Sequence, residues 1–348
     1  MRGRRTTSSA TRRGANSSAK RGLQRRTDPR RPAPGTGPEM TIDRAINLLV
    51  TLTLIEMMLA TGLGVTWAEL VGVGRNGWWL FRALLANYVA VPLATVGLLL
   101  LFQAQPLVAA GFLMLAVCPG APFIPPLAAL AKGDAPAAVG LMGLLATSSA
   151  VVAPLLLGGL LPLVAGNTAV VIAPAQLVTT LIVTQLAPLC LGLGVRHWLP
   201  GVALRLQHPA HAAGKVLSLL SVGGILATQY PLLATIQLRG LVGMAALGLV
   251  SVAIGWLLGG PERGLRRTLA LTTVLRNVGV SLVIATGAFP GTPAVTAVIA
   301  YGLFGIAGSL MLAGWWGRTP VALGPDGGEA PRPPAELPSA REFTEART

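Results

Sequence analysis

Long apolar segments alternate with short polar or Gly/Pro-rich stretches through most of the chain. A helix needs roughly 17 to 25 predominantly apolar residues to cross the hydrocarbon of a bilayer, and the apolar segments reach that length. Lipid offers the backbone no hydrogen-bond partners, so segments that cross it as single units must be helical. The pattern predicts nine transmembrane helices, at residues 44–64, 77–102, 106–131, 135–160, 168–196, 214–236, 239–260, 266–289 and 293–316.

The composition agrees with this pattern, since 53% of the 348 residues are hydrophobic and 11% are charged. Soluble globular domains carry about 25% charged residues. The sequence therefore predicts an all-α, multi-pass integral membrane protein, placed in the plasma membrane with the lipid bilayer as its surroundings.

Basic residues are concentrated before the first span. Residues 1–39 contain eleven of the 27 Lys and Arg residues, against Asp28 and Glu39, and have no aromatic side chain to stack on a base. They also have too few apolar residues to form a core. We expect a disordered basic tail at 1–39, a second disordered tail at 317–348, and no nucleic-acid partner.

The other Lys and Arg residues divide unequally between the two membrane faces. With nine spans, most of those outside the tail fall on one face, while Arg44 and Arg239 fall on the other. Cytoplasmic loops are enriched in Lys and Arg, so the C-terminus is predicted to be cytoplasmic and the N-terminus outside. The basic tail would then lie outside, which predicts either an unrecognised tenth segment or, as we favour, a chain that starts at Met40.

The third span carries four prolines in the segment CPGAPFIPPLAALAKGD, at 118–134. Proline lacks a backbone donor and clashes with the preceding turn, so Pro119 to Pro126 predict an unwound stretch. Unpaired backbone at this depth is tolerated inside protein or along a wet cavity, and secondary transporters use such breaks to bind substrate. An ordinary proline kink is the alternative, and a second break would argue against it.

The eighth span, LTTVLRNVGVSLVIATGAFPG at 271–291, supplies a second interruption. Arg276 and Asn277 lie near its middle. A cation at the bilayer centre costs at least about 2.5 to 3.5 kcal/mol on insertion scales, and such residues usually face a cavity or a partner. Glu56 is the other ionisable group deep in a span; it is a possible proton carrier, a partner of Arg276, or a group at a helix interface with no transport role.

Several motifs occur in an order found in one family of membrane proteins. The segment from Cys118 to Asp134 matches a pattern that begins Cys-Pro-Gly and ends Leu-Ala-Lys-Gly-Asp, without a gap. MMLATGLGV (57–65), NYVAVPL (87–93), QLAPLCLGLGVRH (185–197) and TTVLRNVGVSLVIA (272–285) give weaker matches. Over roughly residues 45–315 the chain resembles the bile acid:sodium symporter family.

The resemblance implies two inverted repeats, with a core domain that contains two crossing broken helices and moves against a panel domain. Within a transporter domain at 44–316, the core would comprise 77–160 and 239–316, and the panel 44–64 and 168–236. The resemblance also implies a secondary transporter for a small organic anion, coupled to sodium as a symporter.

Most of the side chains that hold sodium in that family are replaced here. The positions that match the first ion site and the bridging glutamate are Ile124, Pro125, Ala138, Met142 and Thr272. Sodium is a hard cation that needs oxygen ligands, which apolar side chains cannot supply. At the second ion site the amide becomes Asn87, and the glutamine becomes Arg276.

We interpret Arg276 as a fixed positive charge that replaces the ion and offers hydrogen-bond donors to an anionic substrate, with loss of sodium coupling. The predicted substrate site comprises Arg276, Asn277, Asn87, Thr272, Thr273, Pro122 and Pro125. No metal ligands and no cofactor are predicted, and Na+ and H+ both stay open as coupling ions. A sodium symporter with displaced ion sites and a non-transporting membrane scaffold or receptor are the alternatives.

An intramembrane enzyme is a further class, and the sequence argues against it. A membrane protease would need a Ser/His pair, paired aspartates or a zinc motif within the spans. His197, His208 and His211 fall in an interval predicted to be a loop, and Glu56 is the only carboxylate near the middle of a span. We therefore predict that the protein is not an enzyme.

Overall fold

Helices make up nearly all of the structure, a computed structural model that describes residues 38–165, 174–234 and 236–318. No strand occurs in those residues. The tails predicted at 1–39 and 317–348 fall outside them, apart from two helical residues of each. The chain from Asn47 onward forms one unit, which contains every contact discussed below.

Twelve helices follow one another in the described ranges. They are α1 (Pro38–Gly64), α2 (Trp67–Arg75), α3 (Gly77–Leu101), α4 (Pro106–Val117), α5 (Ile124–Leu130), α6 (Ala135–Ala165), α7 (Pro174–Leu181, Ile182–Leu186 and Ala187–Trp198 in continuous succession), α8 (Pro200–Leu233), α9 (Leu238–Leu258), α10 (Arg263–Val274), α11 (Val278–Ala288) and α12 (Pro293–Arg318). Single π-helical turns interrupt α3 at Ala86–Ala90 and α7 at Ile182–Leu186.

The all-α membrane fold predicted from the sequence is confirmed. Eight helices of the described chain are long and apolar enough to cross a membrane, with α10 and α11 counted as one span at Arg263–Ala288. The remaining predicted span, 106–131, is covered by α4 and α5, which are separated by a break. The beginning of the fifth predicted span, 168–173, lies outside the described residues.

One predicted boundary is wrong. The span predicted at 214–236 begins at Pro200 as α8, so His208 and His211 are helical, and His197 lies in the last turn of α7. A loop was predicted between these two spans because the interval contains polar residues. Low hydropathy makes a segment unsuited to lipid, but an amphipathic helix tolerates polar residues along its exposed side.

A short helix, α2, was not predicted. Its first turn is fixed by a capping box in which the Thr66 hydroxyl accepts from the Glu69 N–H at 3.2 Å and the Glu69 carboxylate accepts from the Thr66 N–H at 2.7 Å. With nine residues, α2 is too short to give the signal of a span.

The helix order of α3 to α6 recurs in α9 to α12. Each set contains a long helix, a broken helix and a second long helix. The two broken helices meet at their interruptions, where the Asn277 N–H donates to the Cys118 carbonyl at 2.8 Å. This meeting point, called the crossover below, comprises residues 118–123 and 275–277.

Helices α1, α7 and α8 pack closely against each other. A Cβ atom on Gly62 of α1 would lie 2.3 Å from the Leu189 carbonyl oxygen of α7, and one on Gly192 would lie 2.4 Å from the Leu59 carbonyl oxygen. On another side of α1, the Thr53 and Ser221 hydroxyls of α1 and α8 are 2.7 Å apart and hydrogen-bonded. Small residues and interhelical hydrogen bonds of this kind hold membrane helices together.

The glycine contact gives a stability prediction for Gly192→Ala. Because the new methyl group would collide with the backbone of α1, we expect the free energy of unfolding to fall by about 1 to 3 kcal/mol. Thermal unfolding of the detergent-purified protein measures this change. Gly158→Ala is the matched control, because outside its own helical turns no atom of the described residues lies within 4 Å of its added Cβ. Equal unfolding midpoints for the two variants would contradict the packing.

Candidate functional site

The first break follows from two backbone constraints. Pro119 has no N–H to donate to the Leu115 carbonyl, so α4 ends at Val117. Gly120 has φ +87°, and a Cβ atom there would lie 2.6 Å from the Ala146 backbone nitrogen, so only glycine fits. The helix resumes at Ile124, with Pro125 and Pro126 in its first turn, where a missing N–H leaves no hydrogen bond unmade.

The second break is organised by Asn277. Its side-chain oxygen accepts from the Val280 N–H at 3.2 Å and caps α11, the role in which asparagine is preferred. Its side-chain nitrogen donates to the Gly120 carbonyl at 3.3 Å, and its backbone N–H donates to the Cys118 carbonyl. Asn277 therefore ends one break and ties it to the other.

Arg276 lies at the centre of the crossover and is 4% exposed. Nε donates to the Leu115 carbonyl at 3.1 Å. Nη1 donates to the Asn87 side-chain oxygen at 2.8 Å and to the Thr273 carbonyl at 3.5 Å. Nη2 donates to the Asn87 carbonyl at 3.2 Å and to the Ala116 carbonyl. A guanidinium has five N–H groups, and these five bonds account for all of them.

The Asn87 carbonyl is available to Arg276 because of the π-helical turn in α3. At the end of that turn, Val91 donates to the Ala86 carbonyl, one residue further back than in an α-helix. In the same π-helical pattern the next donor would be Pro92, bonding to the Asn87 carbonyl. Because proline has no N–H, this bond is not made. The Asn87 side chain is itself held by a 3.0 Å hydrogen bond from its nitrogen to the Ala83 carbonyl.

The partners of Arg276 are neutral, and all are oxygen atoms. Two belong to Leu115 and Ala116, at the C-terminal end of α4, where the helix dipole is negative. Burying a charge is costly unless it is hydrogen-bonded, and here every donor is matched. A set of carbonyl and amide oxygens is also what a hard metal cation prefers, so the guanidinium takes a position chemically suited to one.

Apolar packing fills the positions that match the family's first ion site. Ile124 and Ala138 are fully buried in one hydrophobic cluster together with Leu271 and Leu275, and Met142 is 4% exposed. Among the described residues, no group of three or more His, Cys, Asp or Glu side chains could hold a metal ion.

Thr272 and Thr273, both predicted site residues, are fully buried. The Thr272 hydroxyl donates to the Thr268 carbonyl at 2.7 Å, and the Thr273 hydroxyl donates to the Ala270 carbonyl at 2.9 Å. Both hydroxyls are thus bonded within their own helix, an arrangement common for threonine in helices.

A cavity of about 120 Å³ lies between the crossover and helices α1, α8 and α12. Its walls are mainly apolar, and its polar side chains include the hydroxyls of Thr53, Ser218 and Ser221. Residues of the first break, just before α5, and residues at the start of α11 also face it. Of the predicted site residues, Arg276, Asn277 and Pro122 line this cavity, whereas Asn87, Thr272, Thr273 and Pro125 do not.

The three hydroxyl residues of the cavity were missed by sequence reasoning. Thr53, Ser218 and Ser221 stand singly on apolar helices, where a hydroxyl usually bonds to its own backbone. Their common location depends on α1 packing against α8, and the local sequence carries no signal of that pairing.

Glu56 does not line the cavity at the crossover. Its carboxylate contacts α8 at Gly214, where an added Cβ atom would be 2.3 Å from Oε2. Both carboxylate oxygens are buried without a hydrogen-bond partner in the described part of the chain. The hydrogen bonds of Arg276 run to other groups, so the pairing of these two side chains considered above is not formed.

Comparison with protein-family models places the chain in a family of membrane transporters. The family model of the sodium bile acid symporter family matches residues 51–246, which is more than half of the chain and includes α3, the first broken helix and most of α1. No curated protein matches the sequence. By this match the chain belongs to the sodium bile acid symporter family.

Proposed function

We propose that the protein carries a small organic anion across the membrane by alternating access and does not need sodium at the crossover to do so. The family is one of membrane transporters, which supports transport in general. Independence from sodium is supported by the Arg276 guanidinium, whose five N–H groups are all bonded to oxygen atoms of α3, α4 and α10.

A bound sodium ion and Arg276 would do the same electrostatic work at this point. Each places one positive charge among carbonyl oxygens at the negative end of α4. An arginine is always charged and cannot dissociate from the chain. The crossover would therefore stay assembled without an ion, and transport would proceed down the substrate gradient or be driven by another ion.

Arg276 supports substrate binding through its charge rather than through direct hydrogen bonds, because its donors are all engaged. Direct contacts in the proposal come from Thr53, Ser218 and Ser221 and from the N-terminal end of α11, whose dipole favours an anion. This assigns the anionic head of the substrate to the crossover side and its apolar part to the walls.

The small size of the cavity at the crossover supports a panel that moves to admit the substrate. At about 120 Å³ it is smaller than the roughly 300 to 1,000 Å³ pockets that hold drug-sized ligands. In the proposal, α1, α7 and α8 form a panel that moves against a core of α3 to α6 and α9 to α12, and this movement admits the substrate.

The two alternatives predict different behaviour. A sodium symporter with displaced ion sites would need oxygen ligands elsewhere, and a scaffold or receptor would not move substrate. The buried polar set of Asn87, Arg276 and Asn277 favours transport, since polar groups at membrane depth usually have a functional contact.

The central test is uptake of a panel of labelled organic anions into proteoliposomes. We expect uptake of at least one anion to be equal in sodium and in choline buffer. Arg276→Gln should lower uptake at least tenfold, because each lost hydrogen bond to a charged donor is worth about 1.5 to 3 kcal/mol. Arg75→Gln, at an exposed position, is the control.

A second measurement, thermal unfolding, tests sodium binding even if Arg276→Gln has no transport activity. Thermal unfolding in sodium and in choline should show no sodium-dependent shift for the wild type. Arg276→Gln restores the family's glutamine and should gain such a shift, because an ion can then enter the vacated oxygen set. Sodium-dependent uptake or a sodium-dependent shift in the wild type would refute the proposal.

The cavity gives a separate prediction for Ser218→Phe. The larger side chain would occupy the cavity, and a steric cost of about 1.4 kcal/mol or more would reduce uptake at least tenfold. Leu219→Phe is the matched control, because Leu219 is 74% exposed and does not line the cavity. Equal uptake by the two variants would show that the substrate does not pass between α1 and α8.

We also propose Glu56 as a proton carrier, because its buried carboxylate has no hydrogen-bond partner among the described residues, so gaining or losing a proton breaks no hydrogen bond there. An inward proton gradient should raise uptake by the wild type and should have no effect on Glu56→Gln, whose amide cannot carry a proton. Glu262→Gln, at an exposed position, is the control. A wild type indifferent to the gradient would exclude this role and leave the sodium result unaffected.

A further inference from the structure

A second cavity lies between α3, α4, α9 and α12 and shares no lining residue with the cavity at the crossover. Its volume is about 560 Å³, within the range of roughly 300 to 1,000 Å³ typical of pockets for organic ligands. The substrate route proposed above does not use it.

The walls and the rim of this cavity differ in polarity. Leu99, Met244 and Leu247 form apolar walls together with Phe112. The amide and charged side chains are at one end, where the described lining includes Gln103, Gln105, Gln237 and Arg239, while Thr95 and Thr296 add two hydroxyl residues to the walls. Arg239 is the only charged residue of this lining, which contains no carboxylate.

The polar residues are placed where transmembrane helices end. Gln103 and Gln105 belong to the turn between α3 and α4, and Gln237 and Arg239 stand at the start of α9. The apolar walls continue from there along α3, α4 and α9 toward the middle of these helices. Since α3 and α9 are candidate spans, the rim falls at the membrane surface and the walls fall at the depth of the lipid chains.

The rim has a defined backbone structure. Gln103 has φ +47°, a left-handed conformation that is uncommon outside glycine, and the Ala104 N–H donates to the Leu99 carbonyl at 3.0 Å. The exposed Arg239 reaches across the mouth from α9, and its Nη2 donates to the Phe102 carbonyl. One of its five N–H groups is used in this way, and its charge stays at the mouth.

From this arrangement we infer that the cavity binds one anionic phospholipid. Its phosphate would lie at Arg239 and the rim glutamines, and one acyl chain would follow Leu99, Met244 and Leu247 along the helices. A phospholipid has its charge at the membrane surface and its chain directed inward, which is the polarity of this cavity. The Arg239 guanidinium would attract the phosphate by the Coulomb force between opposite charges.

The bound chain would contact the first broken helix close to the crossover. Phe112 lines the cavity and packs on Tyr301 of α12, with ring centroids 5.5 Å apart. Leu115, whose carbonyl accepts from Arg276, follows Phe112 by one helical turn. Lipid in the cavity would thus brace the part of α4 that holds the guanidinium.

Two variants test the site from its two ends. Arg239→Gln removes the charge at the rim and should weaken binding of phosphatidylglycerol about fivefold, the effect of one basic residue at a membrane surface. Gly243→Leu fills the apolar part of the cavity. Gly243 lines the cavity, and outside its own helical turns no atom of the described residues lies within 4 Å of an added Cβ, so the variant should fold.

The measurement is native mass spectrometry of the delipidated full-length protein, titrated with phosphatidylglycerol and, separately, with phosphatidylcholine. We expect one phosphatidylglycerol to bind the wild type at least fivefold more tightly than any further lipid. This first binding step should be weaker in Arg239→Gln and absent in Gly243→Leu. It should be unchanged in Arg75→Gln and Gly158→Leu, which alter an exposed arginine and an unobstructed glycine elsewhere.

The inference fails if Gly243→Leu keeps the first binding step, because the acyl chain then lies elsewhere. It also fails if phosphatidylcholine binds the wild type as tightly as phosphatidylglycerol and Arg239→Gln changes neither, because the headgroup charge is then not recognised.

Discussion

The structure of the crossover depends on one buried guanidinium bonded to backbone oxygens whose regular helical donors two prolines remove. The Leu115 carbonyl keeps one backbone bond, from the Cys118 N–H at 3.1 Å. Pro119 removes the donor that would have bonded to Leu115, and Pro92 removes the one that would have bonded to Asn87. Arg276 donates to both of these carbonyls. A buried cation without hydrogen-bond acceptors is costly, and here these carbonyls supply acceptors while the cation supplies a donor to each of them.

This mutual dependence changes what an ion could do for the protein. A coupling ion drives transport because it binds one conformation better than another and can leave. In the proposed function the guanidinium supplies the same charge permanently, so the equilibrium between conformations would not vary with an ion concentration at this point. Under the proposed function, stability of the crossover and coupling to a gradient have become separate properties, and coupling requires a group elsewhere, such as Glu56.

The breaks and the charged residue could be predicted from sequence because each rests on a local rule. Prolines interrupt a helix wherever they occur in it, and an arginine in an apolar span needs a partner at any site. The start of α8 and the hydroxyls of Thr53 and Ser221 could not be predicted, because they depend on which helices pack together. The same applies to the donors of Arg276, which the sequence analysis assigned to the substrate and the structure assigns to α3, α4 and α10.

Helix α12 connects the two cavities. Ala297 and Ala300 line the larger one, whereas Ile299 and Leu303 line the one at the crossover. Tyr301 lies between these pairs, is 3% exposed and packs on Phe112 of α4. Close-packed interiors transmit small displacements because they have no space to absorb them. Under the two proposals, a ligand in the larger cavity would therefore act on the cavity at the crossover through α12 and α4, and would favour the conformation of the transporter in which Tyr301 and Phe112 stay in contact.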